Sequence, residues 1–197
     1  MELNKSKMNY SIYAESTPNP KVMKFVSNKI LVNKNIEIIE KKDASKIPIA
    51  AAIFKFPFVK SIFISNNFIA ITKIINVEWP DIAMQLRIFI SDFLNNEGLE
   101  IKEDIIKEVD NNNSKSLYAS NIEKQIAQVI EEYIQPAVES DGGAISLKQF
   151  DEGVVSVNLK GACSGCPSAS LTLKQGVERL LKEKFPNQIK EVIAYEE

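Results

Sequence analysis

Histidine is absent from this 197-residue chain. That absence removes Ser–His and Cys–His nucleophile activation, imidazole general-base chemistry and every histidine-containing zinc site. Cysteine is almost absent too. Only Cys163 and Cys166 occur, three positions apart, so no disulfide framework can staple the fold and the pair must serve chemistry instead. No apolar run approaches the roughly 20 residues that a membrane span needs. The richest stretch, 47–75, is interrupted by Pro48, Lys55, Pro57, Lys60, Asn66 and Asn67. A basic surplus is also lacking: the net charge of -2 divides as +2 over 1–106, zero over 107–120 and -4 over 121–197. Nucleic acid is therefore not an expected partner, and neither is a membrane. Residues 1–9 show neither the apolar core of a secretory signal nor, with Glu2 and no Arg, the pattern of a transit peptide. The expectation is a cytoplasmic protein whose thiols stay reduced.

What is present falls into two blocks. Residues 107–120 are polar, turn-rich and nearly free of apolar periodicity, which predicts a flexible linker and two small domains, 1–106 and 121–197. In the first block, β-rich runs at 10–14, 22–26, 59–64 and 68–74 alternate with helical patterns at 44–54 and 80–96, the mark of an α/β domain. Ile82, Leu86, Phe89, Ile90 and Phe93 form the stripe of the second helix. In the second block, Ser120 or Asn121 suits the cap of a helix striped by Ile122, Ile126, Val129, Ile130, Tyr133 and Ile134. Asp141-Gly142-Gly143 breaks the chain, and two strands follow, 144–150 and 154–159, joined by Asp151-Glu152-Gly153. A helix over 167–184 and a strand over 189–195 complete an α-β-β-α-β order.

The chemistry-bearing segment is Gly161-Ala162-Cys163-Ser164-Gly165-Cys166-Pro167-Ser168. Pro167 fits the first position of the following helix, so the cysteines lie at its N-terminus, where the dipole favours thiolate. Two intervening residues let both sulfurs reach one metal or cluster, yet two thiolates are half of a four-cysteine site. Without another cysteine or any histidine, either the site is open and labile or a twofold-related second chain completes it. The spacing also suits a thioredoxin-like redox pair, half of a structural zinc site, or two small core residues. Pro167, the helix-first order and the lack of an aromatic residue before Cys163 weigh against the redox pair.

Asp141-Gly142-Gly143, the hairpin, the cysteine segment and Thr172-Leu173-Lys174-Gln175-Gly176-Val177-Glu178 closely resemble the NifU C-terminal (Nfu) domain, over 121–197 nearly end to end. Upstream, Ser16-Thr17-Pro18-Asn19-Pro20-Lys21-Val22-Met23-Lys24-Phe25 resembles the signature of the Nfu N-terminal domain. The resemblance implies an α/β (α+β) protein of two small domains, an N-terminal Nfu-type domain and a C-terminal NifU-like domain. It also implies a [4Fe–4S] cluster held by Cys163 and Cys166 across a homodimer, with [2Fe–2S] or zinc as the lesser alternatives. The implied role is that of a carrier and not an enzyme: it takes clusters from upstream assembly proteins and delivers them to apo-proteins. Two departures stand out, Gln135 where many family members carry Arg and Ala144 where they carry Asp.

Overall fold

The structure, a computed structural model, describes residues 9–74, 76–99, 120–165 and 167–196. The stretch expected to be a linker, 107–120, lies outside the described residues except for Ser120. The chain divides into two compact units, one of Met1–Glu15 with Met23–Ile106, the other of Ser16–Val22 with Lys107–Glu197.

The first sheet contains β1 (Ile12–Ser16), β2 (Val22–Ser27), β3 (Ile36–Ile38), β4 (Val59–Ser65) and β5 (Phe68–Lys73), in the order β1-β2-β5-β4-β3. β4 and β5 form an antiparallel hairpin in which Ser65 pairs with Phe68. The connection is Asn66-Asn67, and Asn66 takes the left-handed backbone that asparagine tolerates, with φ 43°. β3 escaped the sequence reading because it is three residues long and its only alternation is Ile36 and Ile38 about Glu37. Pro48 splits the expected 44–54 helix into a 3-10 turn, Asp43–Lys46, and α1 (Pro48–Ile53). α2 (Trp79–Asn96) buries Ile82, Leu86, Ile90 and Leu94, spaced four apart, in a unit whose buried residues also include Phe25, Phe63 and isoleucines of β4 and β5. Each such burial contributes roughly 1.5–3 kcal/mol. Phe89 and Phe93 flank the stripe half-buried, Phe89 standing edge-on to Phe56 at 5.0 Å.

The second unit follows the expected order. α3 (Asn121–Val129) opens with a capping box: Ser120 Oγ accepts from the Glu123 N–H at 3.3 Å and Glu123 Oε2 accepts from the Ser120 N–H at 3.0 Å. The helix runs on through a π turn, Ile130–Ile134, into α4 (Gln135–Ser140). Pro136 explains the π turn. It has no N–H and would collide with the preceding turn, so the helix widens by one residue and the Gln135 N–H bonds back to the Ile130 carbonyl. Ile126, Ile130, Ile134 and Val138 stay on the buried side throughout. β6 (Gly143–Asp151) and β7 (Val154–Gly161) make an antiparallel hairpin closed by Glu152 (φ 44°) and Gly153 (φ 90°), both left-handed as a tight two-residue turn requires. α5 (Pro167–Lys184) carries the chain to β8 (Glu191–Glu196), parallel to β7, so the sheet order is β6-β7-β8. Val155, Val157 and Leu159 of β7 alternate into a core shared with Val177 and Leu181 of α5.

Candidate functional site

The cysteine segment is the connection from β7 to α5. Cys163 is 7% exposed and belongs to the second unit's core cluster, alongside Val138, Ile145 and Leu159. Its sulfur lies against the backbone of Gly143 on the first hairpin strand: a Cβ built there would sit 2.6 Å from Cys163 Sγ and 2.8 Å from the Lys160 carbonyl. The connection is tied down by the Ala162 N–H donating to Gly142 O (3.1 Å) and the Ser164 N–H donating to Gly161 O (3.2 Å). Gly161 (φ 63°) and Gly165 (φ 73°) bracket it in left-handed backbone. Cys166 lies outside the described residues.

The expectation that the helix N-terminus would favour thiolate at Cys163 is corrected. Burial pushes the thiol up to about 11 and the nearby Asp141 carboxylate pushes in the same direction, so the buried sulfur is a neutral thiol at neutral pH. A cavity of about 50 Å³ is lined by Pro18, Val138, Asp141, Ala162, Cys163 and Leu173. Among the described residues no group of three or more Cys, Asp or Glu could hold a metal ion. Of the donors soft enough for iron, this stretch of sequence supplies Cys163 and, immediately before Pro167, Cys166.

Two residues that sequence reasoning left without a role shape this region. Gln135 Oε1 accepts from the Ile145 N–H (3.0 Å) and its Nε2 donates to Glu139 Oε1 (2.7 Å), pinning α4 to the start of β6. Asn19, 2% exposed and grouped with the second unit, donates both hydrogens of its side-chain amide, to Ala162 O at 3.1 Å and Ser164 O at 3.2 Å. The signal for Asn19 was its place between Pro18 and Pro20 in the segment that resembles the Nfu N-terminal signature. The cationic residues of α5 behave as an exposed face, with Lys182 paired to Glu178 at 2.6 Å and Lys184 over the Tyr133 ring at 4.5 Å.

Residues 12–97 match the family described as Scaffold protein Nfu/NifU N terminal, and residues 126–193 match the NifU-like domain. A NifU-like protein of Schizosaccharomyces pombe is 31% identical over 181 residues, which cover 89% of this chain and 69% of that protein. The chain belongs to the Nfu/NifU-like family. Similar relatives include NifU-like protein 5, mitochondrial, of Arabidopsis thaliana (34% identical, 86% of this chain) and the human NFU1 iron-sulfur cluster scaffold homolog, mitochondrial (29% identical, 89% of this chain). The chain spans 62% of the length of the Arabidopsis protein and 68% of the human one. The N-terminal family is described as a scaffold protein, and the human relative is named an iron–sulfur cluster scaffold homolog. No helix among the described residues is long and apolar enough to cross a membrane.

Proposed function

We propose that this protein carries a [4Fe–4S] cluster between two copies of itself, on Cys163 and Cys166 of each, and transfers it to apo-proteins. The observation that carries the reading is the position of Cys163 in a glycine-bracketed connection opening directly into α5, in a chain whose two cysteines both lie there. Two thiolates from each copy complete a set of four sulfur ligands, which one chain cannot do. The cluster is cargo. The chain's part is to present sulfur, and that requires Cys163 to leave its buried place and lose a proton, since thiolate and not thiol binds iron. Incoming client cysteines then replace Cys163 and Cys166 by ligand exchange, a step that needs no catalytic acid or base, and the protein is not an enzyme on this reading.

The first domain, 1–106, would meet clients or assembly proteins, with 107–120 as the linker to the carrier domain, 121–197. A reducing compartment, the cytoplasm on this reading, keeps both cysteines available. A thiol–disulfide oxidoreductase is disfavoured because Pro167 follows the second cysteine, no aromatic residue precedes Cys163 and the domain begins with a helix. [2Fe–2S] or zinc in the same ligand set remain outcomes for the test to separate.

The test is anaerobic reconstitution of the full chain with iron and sulfide, read by absorbance, Mössbauer spectra, iron per dimer and transfer to an apo-enzyme. About four irons per dimer with a transferable chromophore is the expected result, lost in Cys163→Ser and Cys166→Ser. A colourless zinc dimer, or a wild type that takes up no iron, would sink the reading.

A further inference from the structure

We infer that Asn19 is a positioning residue for the cysteine connection, holding Cys163 in its withdrawn place until the connection opens. This rests on the reading of Cys163 as a cluster ligand for its functional meaning, though the contact itself does not.

The Thr17–Val22 turn is complete without the cysteine connection. The Val22 N–H donates to Asn19 O (2.9 Å), the Thr17 hydroxyl reaches both Asn19 O (2.9 Å) and Val22 O (3.0 Å), and the Lys21 N–H donates to Asn19 Oδ1 (3.0 Å). The last bond fixes which way the amide faces, because the oxygen is committed to Lys21 and the nitrogen must point the other way. That nitrogen has two hydrogens, and they go to the carbonyls of Ala162 and Ser164, the residues immediately before and after Cys163. A single amide thus straddles the cysteine. Asn19 is 2% exposed and its bond to Ala162 O is buried, so that bond is not exchanged for water without the connection moving away, while the bond to Ser164 O is part-buried.

The withdrawn place of Cys163 has two walls. Gly143 lets the sulfur in by having no side chain. Asn19 keeps the flanking backbone from swinging out. Breaking the second wall should raise the population of the open connection and leave the turn intact.

Asn19→Asp makes that break with almost no change of shape. It keeps the oxygen that accepts from Lys21 and turns a carboxylate oxygen on two carbonyl oxygens. The readout is site-resolved alkylation of Cys163 by iodoacetamide in the cargo-free full chain, with the melting temperature measured alongside. Alkylation about tenfold faster than wild type, with melting shifted by no more than a few degrees, is expected for the loss of one buried and one part-buried hydrogen bond that act on the connection alone. Unchanged alkylation overturns the inference. Should the variant fail to fold, the wild type decides: exchange of the Asn19 side-chain amide hydrogens, followed by NMR, should be at least about tenfold slower than that of the exposed Asn187. Equal exchange overturns it as well. Neither measurement involves iron, so failed reconstitution would remove the carrier reading without touching the Asn19 contact.

Discussion

The sulfur of Cys163 occupies the space that a side chain at Gly143 would fill, 2.6 Å from the ideal Cβ position. Gly143 is therefore required for room. Its neighbour Gly142, with φ 84°, is the one that needs glycine's backbone freedom. Gly143→Ala must move the sulfur or shift backbone at Lys160 and Cys163, both also within 3.0 Å. Overpacking of this kind costs about 1–3 kcal/mol. Chemical denaturation should show that loss, together with faster alkylation of Cys163. Gly165→Ala is the contrasting change: no atom lies within 4 Å of its Cβ, so its cost, about 1–2 kcal/mol, comes from the left-handed φ of 73° alone.

Gln135 supplies the next prediction. It satisfies the backbone N–H of Ile145 on β6, an edge strand of the second sheet. Gln135→Leu keeps the bulk and removes the acceptor, leaving a buried donor without a partner. The expected loss is about 1–3 kcal/mol in the stability of the second unit, measured by denaturant titration. Hydrogen exchange at the Ile145 amide should rise more than at Leu159, the residue opposite it.

The elements of the second unit were readable because each has its own local signal: a serine cap with Glu three residues on, a Glu-Gly turn, and a proline opening α5. The π turn was not, since periodicity alone cannot say whether a helix passes Pro136 or stops before it. Cys163 and Cys166 stand out as candidate ligands from their spacing and from the lack of any other cysteine or histidine. The protonation of Cys163 was misjudged because the helix dipole is visible in sequence and burial against Gly143 is not. Asn19 lies beyond any sequence window around Cys163, and a hydrogen bond spanning 143 residues leaves no periodic trace. In the first unit β3 was missed for its length, while β4, β5 and α2 were legible from alternation and from a four-residue stripe.

The capping box at α3 gives a further test. Ser120→Ala removes the acceptor for the Glu123 N–H and the hydroxyl that donates to Glu123 Oε2, while the backbone N–H at position 120 still donates to that carboxylate. Loss of such a cap costs about 0.5–2 kcal/mol. Ser120→Asp should recover most of it, because aspartate caps equally well and places negative charge at the positive end of the helix. Thermal melts of the three proteins, at one pH and salt, check the order Ser, Asp, then Ala.

Glu178 predicts an acid dependence of stability. Its carboxylate accepts from Lys182 Nζ at 2.6 Å and from the Val192 N–H at 3.0 Å, so it joins α5 to β8. The Lys182 bond first, then the Val192 bond, hold its carboxyl below the usual 4.5. A carboxyl whose folded pKa is depressed contributes stability that is present above its unfolded pKa and is lost as the pH falls through the folded value. Glu178→Gln keeps an acceptor for Val192 but loses the charge, at a cost of no more than about 1 kcal/mol near neutral pH, since solvent screens the pair with Lys182. The gap between wild type and variant should therefore be constant above about pH 5.5 and close as the pH drops below about 4.5. Denaturant midpoints of both proteins from about pH 7 to about pH 3 measure it. A gap that stays constant over that whole range would show that the carboxylate's charge does nothing for the junction of α5 and β8.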